Sequence, residues 1–300
     1  MDAAYTPSVE FADAPWRGVD AASLRPAEAV PTMLRREEQQ MYYWLTRHQI
    51  GGPGAVVDLG TFVGGSTARL AQGMADAVQH STAQARSIHA FDRFTADDQA
   101  KRRNLYPHGI AEFEGADILP LASALLSPWA ANIRFHRGEI QNAVWDPADG
   151  GIALLMLDAC KRPAWTDRMA EIFYPHLIAG HSVINHQDFL HWKQPWLVAH
   201  MAVMADFFTP LAFVPGTSML YRCTRVPTLA DLAARRVADL DDAQLIAAIR
   251  QTKRRFRGWG IGEGLDMMIA GIRLNPGERR QWEMKQPPKP GSGKVKRAGA

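Results

Sequence analysis

The sequence predicts an α/β protein with a doubly wound, mostly parallel, seven-stranded sheet and helices on both of its faces. From residue 55 onward, five short apolar runs alternate with helical stretches, as in a sheet whose parallel strands are joined by helices. The run at 152–158 is apolar up to its last residue, which is typical of a strand buried on both faces. Two further runs, 211–216 and 217–223, meet at Pro215-Gly216 and indicate an antiparallel hairpin.

Before the sheet, the chain is predicted to begin with an irregular arm and one helix. Residues 1–32 are rich in Ala, Pro and Asp and show no sustained periodicity. Residues 34–48 form a helical pattern that ends at the glycines of 51–54. Its predicted inner stripe consists of Leu34, Met41, Leu45 and His48.

Within the sheet region, apolar runs give the strands and amphipathic stretches give the helices. We expect strands at 55–59, 87–91, 132–136, 152–158 and 181–185, and helices at 66–79, 166–177 and 195–208. About forty residues with many aromatics and prolines separate the second and third strands, which predicts an insertion over one sheet edge.

Beyond the hairpin the pattern is helical. Thr228 with Asp231 three residues later predicts a capping box, and another helix is expected near Asp241. We therefore expect a sheet domain at 33–226 and a helical extension at 227–285 that packs on that domain or on a second subunit.

Composition and charge restrict the possible classes of protein. The 300 residues are 47% hydrophobic and 22% charged, which excludes collagen-like and wholly disordered chains. The net charge is +3, but residues 286–300 hold four cations and no acid, so the other 285 residues sum to −1. A near-neutral body with a disordered basic tail at 286–300 argues against a nucleic-acid-binding protein.

The same sequence favours a cytoplasmic protein without a membrane segment. No apolar run approaches the ~18 residues that a bilayer-spanning helix needs. The first residues have neither the basic region nor the apolar region of a signal peptide. Cys160 and Cys223 are the only cysteines, as expected of a chain in a reducing compartment.

The loop after the first strand carries the main functional signal. In open α/β sheets the ligand lies beyond the carboxyl ends of the strands. Here Asp58 ends the strand, glycines follow, and Ser66 or Thr67 can cap a helix whose free amides attract an anionic group. Three residues separate Gly60 from Gly64, which differs from the dinucleotide pattern G-x-G-x-x-G.

The acid at the strand end discriminates between ligands. A carboxylate repels a pyrophosphate and attracts an ammonium or sulfonium group. S-adenosylmethionine (SAM) carries both cations and also a carboxylate for the helix amides. Asp92, at the end of the second strand, is placed to accept hydrogen bonds from ribose hydroxyls.

The segment VVDLGTFVGGST (56–67), with IHAFD (88–92), resembles motif I and the ribose-binding acid of class I SAM-dependent methyltransferases. Its Gly-Gly-Ser ending is closer to the branch with macrocin-type and other sugar or natural-product O-methyltransferases. The resemblance extends over roughly 33–223. It implies contacts to the methionine portion from Asp58, Gly60, Thr61, Gly64 and Ser66, to the ribose from Asp92, and to the adenine edge from Arg93 and Glu139. Glu139 can equally be an acid at a helix N-terminus.

The catalytic residues are expected at the ends of the fourth and fifth strands. The resemblance implies that Asp158 lies beside the transferred methyl group or binds a divalent cation. His186 is the predicted base, because its ordinary pKa of ~6.5 suits proton removal at neutral pH; a hydrogen-bonded loop histidine is the alternative. Asp188 would orient His186 or share Mg²⁺ with Asp158. Ala159-Cys160 and Gln187 stand where the family has more acids, so metal dependence stays open.

These observations predict a SAM-dependent O-methyltransferase that acts on a sugar or secondary metabolite, with a small-molecule acceptor and a possible homo-oligomer. One alternative is a SAM-binding accessory or regulatory protein without catalysis. Another is a nicotinamide-dependent dehydrogenase, which the missing dinucleotide fingerprint disfavours.

Overall fold

The computed structural model describes Tyr5 and residues 8–49, 52–79 and 86–288. The predicted basic tail lies outside the described residues from position 289 onward, as do residues 50–51, where the first predicted helix gives way to glycines. The predicted domain boundaries stay predictions.

A seven-stranded sheet forms the centre of the molecule, with the strand order β3-β2-β1-β4-β5-β7-β6. The strands are β1 (Ala55–Leu59), β2 (Ile88–Asp92), β3 (Ile133–Arg137), β4 (Ile152–Leu157), β5 (Val183–His186), β6 (Phe208–Val214) and β7 (Ser218–Cys223). The first five are parallel, while β7 is antiparallel to both β5 and β6. The predicted fold class is confirmed, and the five parallel strands lie within two residues of their predicted positions.

Helices connect the strands and extend beyond them. They are α1 (Ala21–Leu24), α2 (Arg36–Trp44), α3 (Gly65–Gln79), α4 (Asp98–Asn104), α5 (Leu119–Leu125), α6 (Pro163–Phe173), α7 (Pro195–Val203), α8 (Leu229–Ala233), α9 (Asp242–Arg255) and α10 (Gly262–Leu274). The predicted first helix is α2, which continues as one wider π-helical turn, Leu45–Gln49. The described part of the chain holds no helix that is both long and apolar enough to span a bilayer.

The two faces of the sheet bury different helices. On one face, α2 and α3 cover inward-pointing residues such as Val56 and Met156. The N-terminal arm joins this layer, since buried Phe11 and Trp16 contact Trp44. The arm therefore contributes to the core although its sequence lacks periodicity.

The opposite face is covered by α6 and α7 together with the C-terminal helices. Ile249 of α9 and Leu265 of α10 belong to the same apolar cluster as Leu155 and Ile184 of the sheet. The helical extension thus packs on the sheet domain of its own chain.

The residues between β2 and β3 form the predicted insertion. They contain α4 and α5 and have a small core of their own, which includes Phe94, Leu105 and Ile118. Val63 lies in the loop 60–64 between β1 and α3, here called the glycine loop, and is part of this core. The insertion therefore lies against the loop that follows β1.

Candidate active site

The candidate site lies where the strand order reverses, between β1 and β4. Chain connections run away from this point in both directions, and in open α/β sheets the ligand crevice is expected at the carboxyl ends of two such strands. Asp58 belongs to β1 and Asp158 follows β4, while β2 and β5 bring Asp92 and Asp188 from either side. The predicted acids therefore meet at one edge of the sheet.

Asp58 is buried below the glycine loop, with 2% of its surface exposed. Its Oδ2 accepts hydrogen bonds from Ser66 Oγ at 2.7 Å and Thr67 Oγ1 at 2.6 Å. Burial raises the pKa of Asp58 to about 6, against these two hydrogen bonds, and the charge of Asp92 adds to the rise. Asp58 thus anchors the first turn of α3 and holds an unfavourable buried charge.

At two glycines where the loop meets α3, other parts of the chain lie directly against the backbone. Gly64 has φ +98°, and a Cβ there would lie 2.5 Å from Leu126 Cδ1. A Cβ on Gly65 would lie 2.4 Å from the carbonyl oxygen of Pro31. Protein atoms therefore fill the space beside both glycines.

The start of the loop is held by backbone hydrogen bonds. Gly60, with φ +98°, donates its amide to the Phe91 carbonyl at 2.9 Å. Thr61 is buried, and its hydroxyl donates to the Asp58 carbonyl at 3.3 Å. Both residues therefore shape the turn that carries the chain from β1 to α3.

Asp92 fixes two strained residues. Its Oδ2 accepts the amide of Phe62 at 2.9 Å, and its Oδ1 accepts the amide of Phe94 at 2.6 Å. Both phenylalanines have positive φ, +53° and +52°, which is unfavourable for a bulky side chain. Burial raises the pKa of Asp92, while the two amide hydrogen bonds oppose the rise.

Arg93 and Glu139 lie at the rim beyond Asp92. Their side chains are 63% and 47% exposed, and Arg93 Nη1 is 3.8 Å from Glu139 Oε1. An exposed pair of this kind adds little stability. Both side chains are accessible to a ligand that reaches this rim.

Asp158 and Asp188 share a lysine that the sequence analysis missed. Lys161 Nζ lies 2.8 Å from Asp158 Oδ1 and 2.6 Å from Asp188 Oδ2. Burial disfavours the charged ammonium, but both carboxylates outweigh it, so the pKa of Lys161 is raised. Burial and the neighbouring Asp188 raise the pKa of Asp158 in spite of Lys161. For Asp188 burial acts in the same direction, but Lys161 prevails and its pKa is lowered.

Mg²⁺, which the sequence left open as a ligand of Asp158 and Asp188, does not fit this arrangement. The position between the two carboxylates holds the Lys161 ammonium, which would repel a second cation at that place. The described residues contain no group of three or more His, Cys, Asp or Glu that could hold a metal ion. The sequence signal for Lys161 was present, since a lysine three residues after an acid at a strand end can reach back to it.

His186 does not fit the role of a base. It is fully buried, and its ring contacts His200 and Tyr221 in the core between the sheet and the helices α6 and α7. Its Nε2 is 3.5 Å from the Tyr174 hydroxyl, and its Nδ1 has no hydrogen-bond partner among the described residues. Burial and the neighbouring His200 lower the pKa of His186 to about 3.

A buried polar network joins α2 to the end of β5. Tyr42 donates to Gln187 Oε1 at 2.9 Å, and Gln187 Nε2 donates to Glu38 Oε1 at 2.9 Å. Ser218 Oγ donates to the same Glu38 oxygen at 2.9 Å. Burial raises the pKa of Tyr42 well above its ordinary value, and the charges of Asp58 and Asp158 raise it further.

This network places α2 beside the acids, which the apolar stripe in the sequence did not indicate. Asn185 of β5 donates to the Tyr42 hydroxyl at 3.3 Å, and its own Oδ1 is buried without a partner among the described residues. A polar residue on the inner face of a predicted helix, such as Glu38, is the signal that could have revealed it.

No protein-family model matches the chain, and no curated protein does. Solved structures show a distant likeness. The O-methyltransferase NovP has 15% identity and a TM-score of 0.49 over 65% of this chain and 82% of NovP. The methyltransferase PaMTH1 of Podospora anserina, bound to SAH, has 12% identity and a TM-score of 0.46 over 75% of this chain and 100% of PaMTH1. The calicheamicin methyltransferase CalS11 has 16% identity and a TM-score of 0.46 over 72% of this chain and 94% of CalS11. Likenesses this distant assign no activity to the chain.

Proposed function

We propose that this chain is a SAM-dependent methyltransferase that methylates a hydroxyl of a small molecule, a sugar or a secondary metabolite. One observation carries the proposal: Asp58, Asp92 and Asp158 meet at the crevice, and burial raises the pKa of each. Carboxylates that are costly to ionise are stabilised by a cationic ligand and destabilised by a diphosphate. SAM offers a sulfonium and an ammonium group.

The residues of the crevice divide into those that bind and those that act on the acceptor. Each oxygen of Asp92 can accept a second hydrogen bond, so Asp92 can bind ribose hydroxyls while it holds Phe62 and Phe94. Arg93 and Glu139 would border the adenine. Bound SAM supplies a methyl group on a positively charged sulfur.

Asp158 stands at the reacting centre in this proposal. A hydroxyl acceptor must lose a proton as it attacks the methyl group, and a carboxylate with a raised pKa is a better proton acceptor than an ordinary one. Asp158 is partly accessible at the end of β4, whereas His186 is fully buried. We therefore assign to Asp158 the role of accepting the proton from the acceptor hydroxyl.

Ligand binding is tested first, by thermal unfolding with SAM, with its product S-adenosylhomocysteine and with NAD. A ligand at ~100 times its Kd adds roughly 2.7 kcal/mol to the free energy of unfolding. We expect this gain with SAM and S-adenosylhomocysteine. A gain with NAD alone would refute the proposal.

A variant links binding to the crevice. Asp92→Asn loses one charged acceptor, so we expect SAM affinity to fall by about tenfold or more. Asp206→Asn is the matched control, because the Asp206 side chain is 70% exposed and lies 3.7 Å from Arg235. Thermal unfolding of both variants without ligand shows whether a loss of SAM affinity comes from a destabilised loop.

A second candidate is a protein that binds SAM without transferring methyl groups. Lys161 engages both acids at the proposed reacting centre, and this observation favours a protein that binds SAM without catalysis. Formation of S-adenosylhomocysteine with a panel of hydroxylated acceptors decides between the two. A pure binding protein is stabilised by SAM and forms none.

A further inference from the structure

Lys161 lies between two acids, in a position that hydrogen bonds fix. Its Nζ is within hydrogen-bond distance of Asp158 Oδ1 and Asp188 Oδ2. Gln194 Nε2 donates to the same Asp188 oxygen at 2.7 Å, so that oxygen is fixed from two sides. The three charged side chains are only 22–33% exposed. The ammonium is therefore part of the fold at this edge of the sheet.

A magnesium ion in proteins is held by one or two carboxylates and several waters. Asp158 and Asp188 would supply such a pair if the space between them were empty. The Lys161 ammonium fills that space and neutralises one of the two charges. Two carboxylates with Mg²⁺ have no net charge, whereas the same two carboxylates with the Lys161 ammonium keep one negative charge.

We propose that Lys161 is the built-in cation of this site: it stands where a divalent metal would stand, excludes the metal, and holds Asp158 at the end of β4. The remaining negative charge favours a cationic ligand in the crevice. Lys161 is a positioning residue. The exclusion of metal does not depend on the proposed function, but the effect on methyl transfer rests on it.

The test is a titration with Mn²⁺, followed by electron paramagnetic resonance of the free ion. We expect no Mn²⁺ bound to the wild-type chain. Lys161→Ala removes the ammonium and opens the space, so this variant should bind one Mn²⁺ per chain. Lys161→Arg keeps a cation and should bind none, and Lys161→Ala with Asp188→Asn should lose the new site.

Thermal unfolding gives a readout that does not require activity. Two carboxylates without a counter-ion repel each other, so Lys161→Ala should melt at a lower temperature than the wild type. Mn²⁺ should restore its melting temperature and leave that of the wild type unchanged. A wild-type chain that binds one Mn²⁺ and loses it on Asp158→Asn overturns the proposal, as does a folded Lys161→Ala variant that binds none.

Once SAM binding is established, the rate of methyl transfer provides a third test. EDTA should leave the wild-type rate unchanged, and Mg²⁺ should restore part of the rate lost in Lys161→Ala. A wild-type rate abolished by EDTA and restored by Mg²⁺ overturns the proposal. If SAM does not stabilise the wild type, the proposed function fails, and the Mn²⁺ titration still decides the role of Lys161.

Discussion

At the scale of single residues, Asp58 has two roles that oppose each other. Its Oδ2 accepts two hydroxyl hydrogen bonds that start α3, yet burial makes its negative charge costly. A cation in the crevice would relieve that cost. The charge of Asp58 therefore lowers the free energy of unfolding of the ligand-free protein, and a cationic ligand would offset this loss.

The cost of this charge should be visible in the pH dependence of stability. The pKa of Asp58 rises from 3.8 to about 6 on folding, so the folded state binds the proton more tightly than the unfolded state. Stability from this group is present below pH 3.8 and is lost as the pH rises to about 6. Two pKa units correspond to about 3 kcal/mol.

Asp58→Asn isolates this effect, because the amide oxygen still accepts from Ser66 and Thr67 but carries no charge. We expect the variant to lack the loss of stability between pH 4 and 6, measured by urea unfolding. Equal slopes for wild type and variant across this range would show that the charge of Asp58 is not penalised.

The contribution of His186 to stability should depend on pH in the opposite direction. Its pKa falls from 6.5 to about 3 on folding, mainly through burial, so the stability it contributes is full above pH 6.5 and decreases as the pH falls towards 3. Between pH 6.5 and 5 the loss is about 2 kcal/mol. His186→Leu should reduce the acid loss by this amount in urea unfolding, and His108→Leu, at an exposed position, should not.

The same variant tests the role that the sequence assigned to His186. A general base typically contributes 10²–10⁴-fold to a rate. A loss of that size in a well-folded His186→Leu variant would restore His186 as the base.

At the scale of elements, the packing of α3 on α2 depends on a close approach. A Cβ on Gly73 of α3 would lie 2.2 Å from the Tyr43 carbonyl oxygen and 2.3 Å from Thr46 Oγ1. Thr46 belongs to the wider turn Leu45–Gln49, so the contact lies where α2 ends and this turn begins. The contact keeps α2, and with it the Glu38–Tyr42 network, beside the acids.

We expect Gly73→Ala to destabilise the protein although alanine favours helices. The gain in helix propensity is about 1 kcal/mol, whereas a methyl group forced into a packed contact costs about 1–3 kcal/mol and displaces α2. Gly18→Ala is the control, because a Cβ at Gly18 meets nothing within 4 Å. Urea unfolding that ranks Gly73→Ala as the more stable variant would contradict this packing.

At the scale of the whole molecule, the C-terminal helices and the sheet share one core. Ile249 and Leu265 lie in the same cluster as Leu155, and Trp259 Nε1 donates to the Tyr5 carbonyl at 3.0 Å. The extension is therefore bound to both the sheet layer and the N-terminus. Association with a second subunit stays a prediction.

A shared core predicts a single cooperative unfolding transition. Ile249→Ala should cost about 2–5 kcal/mol and shift the whole transition, followed by tryptophan fluorescence and circular dichroism. Arg250→Ala, on the exposed side of the same helix, should change stability by about 0.5 kcal/mol or less. A separate early transition in Ile249→Ala would mean that the extension unfolds independently.

Local sequence signals were enough for the five parallel strands and for the acids at the strand ends. The apolar run before Asp158 identified β4, and the Thr228–Asp231 and Asp241–Gln244 pairs form the capping boxes of α8 and α9. Such signals depend on neighbouring residues in the chain. The glycines at Gly60 and Gly64 likewise adopt the positive φ that their residue type permits.

Only the tertiary structure decided which side chains meet at the site. Successive residues of a strand point to opposite faces, so Asn185 reaches Tyr42 while His186 enters the core, and the sequence does not say which face is the crevice. Contacts such as Leu126 with Gly64 and Lys161 with Asp188 join residues far apart in the chain. Their chemistry depends on distance and burial, which arise only when the layers pack.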